Sequence, residues 1–165
     1  MDVRGYLFVG FVIIWMLSSC SLKPRTTPYL PLVKKAIKRA SPVGKRILTQ
    51  AHSMGYQRPK VIRGSCWDYI HAIYTRAGYG VRKKIVFKGS KKGPFAPIYK
   101  IESGDWLYHI NHEYHGIQHS GIFVDWVDVE RRKALMLSYQ GGNASKPARY
   151  KIYTLSSVYR ITRGR

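Results

Sequence analysis

The chain has 165 residues, room for one ordinary domain and too few for two independent cores. Hydrophobic residues at 45% and charged residues at 22% exclude a disordered chain, and 2 Cys exclude a disulfide framework. The 29 Lys+Arg against 8 Asp+Glu leave a net charge of +21, which points to an anionic partner such as acidic glycan, a phospholipid surface or nucleic acid.

At the N-terminus, Met1–Gly5 carry Arg4 and are followed by the apolar run Tyr6–Leu17, too short to span a bilayer comfortably as a helix. The run ends in Leu17-Ser18-Ser19-Cys20, which resembles the bacterial lipobox, whose cysteine is lipidated and becomes the first residue of the mature chain. The resemblance implies a signal peptide over 1–19, lipid on Cys20 and membrane anchoring through it. Ser21, where an aspartate would retain the protein at the inner membrane, implies outer-membrane sorting in a Gram-negative host. The alternative is an uncleaved N-terminal anchor. With Cys20 taken by lipid, Cys66 is left as a lone thiol in an exported protein.

Residues 20–29 contain two prolines and no periodicity and read as a tether, with a single domain over 30–165. Leu32, Val33, Ala36, Ile37, Ile47 and Leu48 recur at helical spacing, broken at Ser41-Pro42, which predicts two short basic helices. Ser65 is a candidate N-cap for a third helix that begins at Cys66 and buries a stripe of Trp67, Ile70, Ile73 and Tyr74; Gly78 and Gly80 end it. A basic, Gly/Pro-punctuated stretch from Val81 to Lys100 holds one possible strand at 84–87 and otherwise reads as a loop. Gly104-Asp105 turns into a strand, and further strands are expected at 119–126 and 133–140, joined by a charged hairpin loop, with one or two more over 150–161. Helices first and antiparallel strands afterwards make the expected fold class α+β.

Cys66 at a helix start meets the positive end of the macrodipole and free N–H groups that favour a thiolate. His119, on a later strand, is a candidate base. Closing the hairpin brings Ser138, Gln140 and Asn143 alongside His119, where a polar side chain fixes the tautomer of the ring. His109, His112, His115 and His119 invite a metal reading, but the loop character of this stretch favours a polar rim and no metal. Trp67, Trp106 and Tyr108 read either as core or as the lining of a sugar or peptide groove, and Asp68 as a structural acid paired with a basic residue.

The order Gly64-Ser65-Cys66, Ser103-Gly104-Asp105-Trp106, His119-Ser120-Gly121-Ile122 and Leu137-Ser138-Tyr139-Gln140 resembles the papain-like cell-wall cysteine hydrolases of the NlpC and CHAP type over roughly half the chain. The resemblance implies a papain-like fold and cleavage of amide bonds in peptidoglycan stem peptides by a monomer without a cofactor. Cys66 would be the nucleophile, His119 the base, and Gln140 the third residue, with Asn143 and Ser138 as rivals; the Cys66 N–H, Tyr56 and Trp67 would lie near the oxyanion or substrate. Ser65 and Trp67 around the cysteine depart from the usual family pattern. The rival reading is a non-catalytic lipoprotein of the same fold that binds an anionic envelope polymer. No nucleic-acid-reading motif is present, which sets nucleic acid aside.

Overall fold

The computed structural model describes residues 23–142 and 146–165. The proposed signal peptide, Cys20 and Asn143 lie outside them. Three helices come first: α1 (Leu30–Arg39), α2 (Pro42–His52) and α3 (Cys66–Arg76). Both α1 and α2 carry proline in their first turn, where its missing N–H costs no helical hydrogen bond, and Ser41 Oγ caps α2 by accepting from the Gly44 N–H. A π-helical segment, Ser53–Gln57, prolongs α2. None of these helices is long and apolar enough to cross a membrane.

Six strands follow: β1 (Lys83–Lys88), β2 (Trp106–Asn111), β3 (Ile117–Asp128), β4 (Lys133–Ser138), β5 (Arg149–Thr154) and β6 (Val158–Gly164). They form one antiparallel sheet in the order β1-β6-β2-β3-β4-β5. The fold is α+β, as the sequence predicts, and the tail of the chain supplies two strands.

The pleat sends alternate residues of each strand to opposite faces, so the sheet has two apolar faces. Ile122, Val124, Leu135 and Leu137 pack with Val33, Ile47, Leu48, Ile70 and Ile73 beneath the helices. Their neighbours Leu107, Phe123, Ala134, Met136, Tyr153 and Ile161 form a second cluster on the far face, which Ala96, Ile101 and Phe87 help to cover. The loop stretch before β2 therefore closes the back of the sheet.

The Gly104-Asp105 turn joins the layers. The Tyr74 hydroxyl on α3 accepts from the Trp106 N–H, with the Gly104 and Thr162 carbonyl oxygens each 3.0 Å away. Asp105, 1% exposed, pairs in bidentate fashion with Arg163 of β6 at 2.8 and 2.9 Å. The Asp105 carboxylate also accepts from the Glu102 N–H. Burial raises the Asp105 carboxyl above its ordinary range while Arg163 and the Glu102 N–H oppose the rise.

The segment expected to be a loose tether is fastened to the domain. Arg25 Nη1 donates to the carbonyl oxygens of Gly55 and Ala148 at 3.0 and 2.9 Å, and its guanidinium lies 4.9 Å over the Tyr56 ring. The segment lacks periodicity because Arg25 holds it through one side chain and its own N–H to Tyr56 O, without a ladder.

Gly104, at φ +96°, lies against Gly44 of α2, and a Cβ at Gly44 would land on the Ser103 carbonyl oxygen. Gly44→Ala is expected to lower stability by roughly 1–3 kcal/mol, the usual cost of overpacking against backbone. Chemical denaturation measures it, and an unchanged midpoint would show that α2 does not touch the turn.

Candidate functional site

Cys66 is the first residue of α3, and the chain before it is built to start a helix there. The Ser65 N–H and Oγ both donate to Asp68 Oδ2, at 2.7 and 2.8 Å, while the Trp67 N–H donates to Ser65 Oγ. This reciprocal cap satisfies orphan helix donors and holds Asp68 below the ordinary carboxylate range. Asp68 is thus the capping partner of Ser65 and not the mate of a basic residue.

The sheet reaches the same place. Gly141 packs against Ser65 and the Cys66 nitrogen: a Cβ there would come within 3.0 Å of that nitrogen, and its φ of +75° also favours glycine. Next to it the Gly142 N–H donates to Gly64 O at 2.8 Å. The end of β4 and the start of α3 are thereby pinned together.

The half-buried Cys66 thiol takes its hydrogen bond from the sheet: Ser120 Oγ of β3 donates to Sγ at 3.5 Å. His119, one residue earlier, faces the other side of β3. Its Nε2 lies 2.8 Å from Ser138 Oγ and 3.4 Å from the Tyr153 hydroxyl, and Ser138 Oγ and Tyr153 are themselves 2.8 Å apart. No hydrogen bond joins Cys66 to His119 among the described residues. The sulfur nevertheless sits within electrostatic reach of this group, since the Cys66 charge contributes to the raised pKa of Tyr153, whose leading cause is burial.

The side chain hydrogen-bonded to His119 is that of Ser138, not that of Gln140. Pairing of Gly121 with Ser138 sets the serine diagonally beside His119 on the same face, while Gln140 lies beyond the end of β4 at the mouth of the cavity described below. Tyr56 lies in the helix-side core: it is 4% exposed, accepts the Tyr150 N–H through its hydroxyl and stacks on Tyr150 at 4.8 Å. Trp67 does not join the buried stripe of α3: it is 45% exposed on the first turn, stacked on His71 at 4.8 Å and tilted against the buried Trp106.

Of the other histidines, His112 bonds Ser157 Oγ at 2.7 Å, and His115 sits in the turn before β3 at φ +53°. His109, on β2 directly opposite His119, is fully buried against the His119 and Tyr153 rings with neither nitrogen bonded. Among the described residues no group of three metal-ligating side chains converges.

A cavity of about 240 Å³ opens beside His119, Ser138, Gln140 and Tyr153; Cys66 is not part of its wall. A larger cleft of about 620 Å³ lies elsewhere, between α2 and the end of α3, and its Lys45, Arg46 and Arg76 bring no nucleophile or base to it. The smaller cavity is the candidate site, because the hydrogen-bonded cluster of His119, Ser138 and Tyr153 opens into it.

Sequence reasoning missed Tyr153 and Ser120. Ser120 was readable from strand alternation, since only one of the His119-Ser120 pair can face the helices. Tyr153 depends on a pairing between β4 and β5 that carries no local signal. No known family model matches the chain, and no curated protein sequence is significantly similar to it.

Burial, with Lys151 adding a positive charge, holds His119 down at about 4; burial and the neighbouring His119 and His112 hold His109 at about 3. Both rings are neutral at pH 7. Unfolded histidines titrate near 6.5, so between that value and the folded ones the unfolded state binds more protons. The stability from the neutral rings is complete above about pH 6.5 and is lost as pH falls towards 4 and then 3. The thermal midpoint should fall over this range, and His109→Leu should fall less while matching or exceeding wild type at pH 7. A midpoint that stays flat from pH 7 to 4 in the wild-type chain would show that the rings are not desolvated.

Proposed function

We propose that this chain is a lipid-anchored, papain-like cysteine hydrolase that cleaves an amide bond of peptidoglycan stem peptides in the bacterial envelope. One observation carries the reading: the His119 imidazole is held through Nε2 by Ser138, one residue away from the serine that touches the helix-start thiol. The Nε2 contact leaves Nδ1 as the nitrogen for proton exchange. The neutral ring is then free to accept the thiol proton, and the positive end of α3 favours the thiolate left behind.

On this reading the resting thiol is parked on Ser120 on the helix side of β3, while His119 faces the far side, so the start of β3 must shift with the thiol to pair them when substrate binds. The thiolate attacks the amide carbonyl carbon, and the Cys66 N–H at the helix start stabilises the oxyanion. The C–N bond breaks as the imidazolium gives its proton to the leaving amine. Water, deprotonated by the same imidazole, then releases the acid from the thioester and restores the thiol. No cofactor takes part. Membrane attachment through Cys20 and the +21 charge would together keep the enzyme at an anionic surface.

A second reading is a binding lipoprotein of the same fold for an anionic envelope polymer. It is favoured by the exposed Trp67 and by the thiol's bond to Ser120 in place of His119.

Mass spectrometry of muropeptides released from purified sacculi separates the two. The wild-type chain is expected to release fragments whose masses identify the bond, and Cys66→Ala and His119→Ala should release none. Ser120→Ala should speed alkylation of Cys66 by iodoacetamide, because it removes the thiol's resting partner. Tight sacculus binding by the wild-type and Cys66→Ala chains with no fragments from either would overturn the hydrolase and leave the binding protein.

A further inference from the structure

The cavity at His119 has one wall that the proposed chemistry does not use. A strand's period of two places Arg149, Lys151 and Tyr153 of β5 on one face, the face that also carries Ser138 and His119. Register pairs Arg149 with Ser138 and Lys151 with Met136, so both cations stand next to the buried part of the site. The intervening Tyr150 and Ile152 pack into the helix-side core, which fixes the outward pair. Lys151 Nζ lies 5.1 Å over the Tyr153 ring, an arrangement that directs the ammonium along the wall.

No acid of the described lining faces the charge in this wall. The described lining holds Arg149, Lys151, Asn111 and Gln140 and no acid. Neither cation forms an ion pair among the described residues. Glu113 accepts from Thr154 Oγ1 at 2.8 Å and stays outside the lining, and the segment 141–148 contains no Asp or Glu. Two cations above a partly buried polar floor of serine, tyrosine and imidazole suit a carboxylate, which accepts several charge-assisted hydrogen bonds at once.

We propose that Arg149 and Lys151 form a carboxylate subsite, so that the peptide acted on at His119 carries a free acid group beside the bond that is cut. This rests on the hydrolase reading for what happens next to the subsite, but the subsite's preference is a binding property and is tested as one. Arg149 and Lys151 are specificity residues here; the reacting atoms belong to Cys66 and His119. Both side chains are exposed on an edge strand, so neutral replacements leave the core intact.

The experiment is calorimetric titration of the full-length Cys66→Ala chain, which binds without turnover. The probes are a synthetic stem peptide with free carboxylates and the same peptide fully amidated. The acid peptide is expected to bind roughly tenfold tighter, the scale of one or two charge-assisted contacts. Arg149→Gln/Lys151→Gln in the Cys66→Ala chain should bring the two peptides to equal affinity with an unchanged thermal midpoint. Equal binding of both peptides to the parent chain, binding of neither, or a preference that survives in the double variant would overturn the subsite. Wild-type chain that prefers the acid peptide but cleaves neither would sink the hydrolase while supporting the subsite.

Discussion

The pairing of β3 with β4 in the register that sets Gly121 opposite Ser138 governs everything around the site. From it follows which hydroxyl reaches His119, which residue of β3 meets the thiol, and which apolar residues pack beneath the helices. A slip of one residue would exchange the faces and turn Ile122 and Val124 out of the helix-side core, so burial itself enforces the register. Gly121 makes the pairing possible: a Cβ there would come within 2.9 Å of the Leu137 carbonyl oxygen and 2.8 Å of Met136 Cε.

A second constraint brings α3 to that pair of strands. The capping box fixes the first turn of the helix, and Gly141 and Gly142 let the chain leaving β4 fold against it. Tyr139 reinforces the contact, giving its hydroxyl proton to Ile62 O at 2.6 Å and accepting the Ile62 N–H. The thiol is therefore positioned by backbone that belongs to both layers. Its freedom is confined to the side chain, and because His119 faces the other side of β3, pairing the two also needs the start of that strand to move.

Charge is distributed by the same architecture. The few acids are mostly committed to structure: Asp68 to the cap, Asp105 and Glu102 to Arg163, Asp125 to Arg39 and Asp128 to Arg131. Little negative charge is left to offset the lysines and arginines on the helices and on β5. The surface field is consequently positive on the helix side and at the cavity mouth, and both places favour an anionic polymer.

Helix limits, the N-cap at Ser65, the turn at Gly104-Asp105 and the hairpin between β3 and β4 are written in short spans of sequence, because capping, turn chemistry and periodicity are local. The class α+β follows from them, and so does the proximity of Ser138 to His119, since a tight hairpin obliges its two strands to pair with each other. Position within the hairpin does not separate Ser138 from Gln140, whose parity is the same; where the ladder ends decides that. Tyr56 looked available because nothing within ten residues reveals that Tyr150 will stack on it from β5. The loop character of residues 23–29 hid the docking of Arg25, whose acceptors, Gly55 and Ala148, lie far along the chain. Residue types and local geometry were determined by the sequence alone. Which face each strand turns to the thiol, and what shares the cavity with His119, were decided by pairings between distant segments.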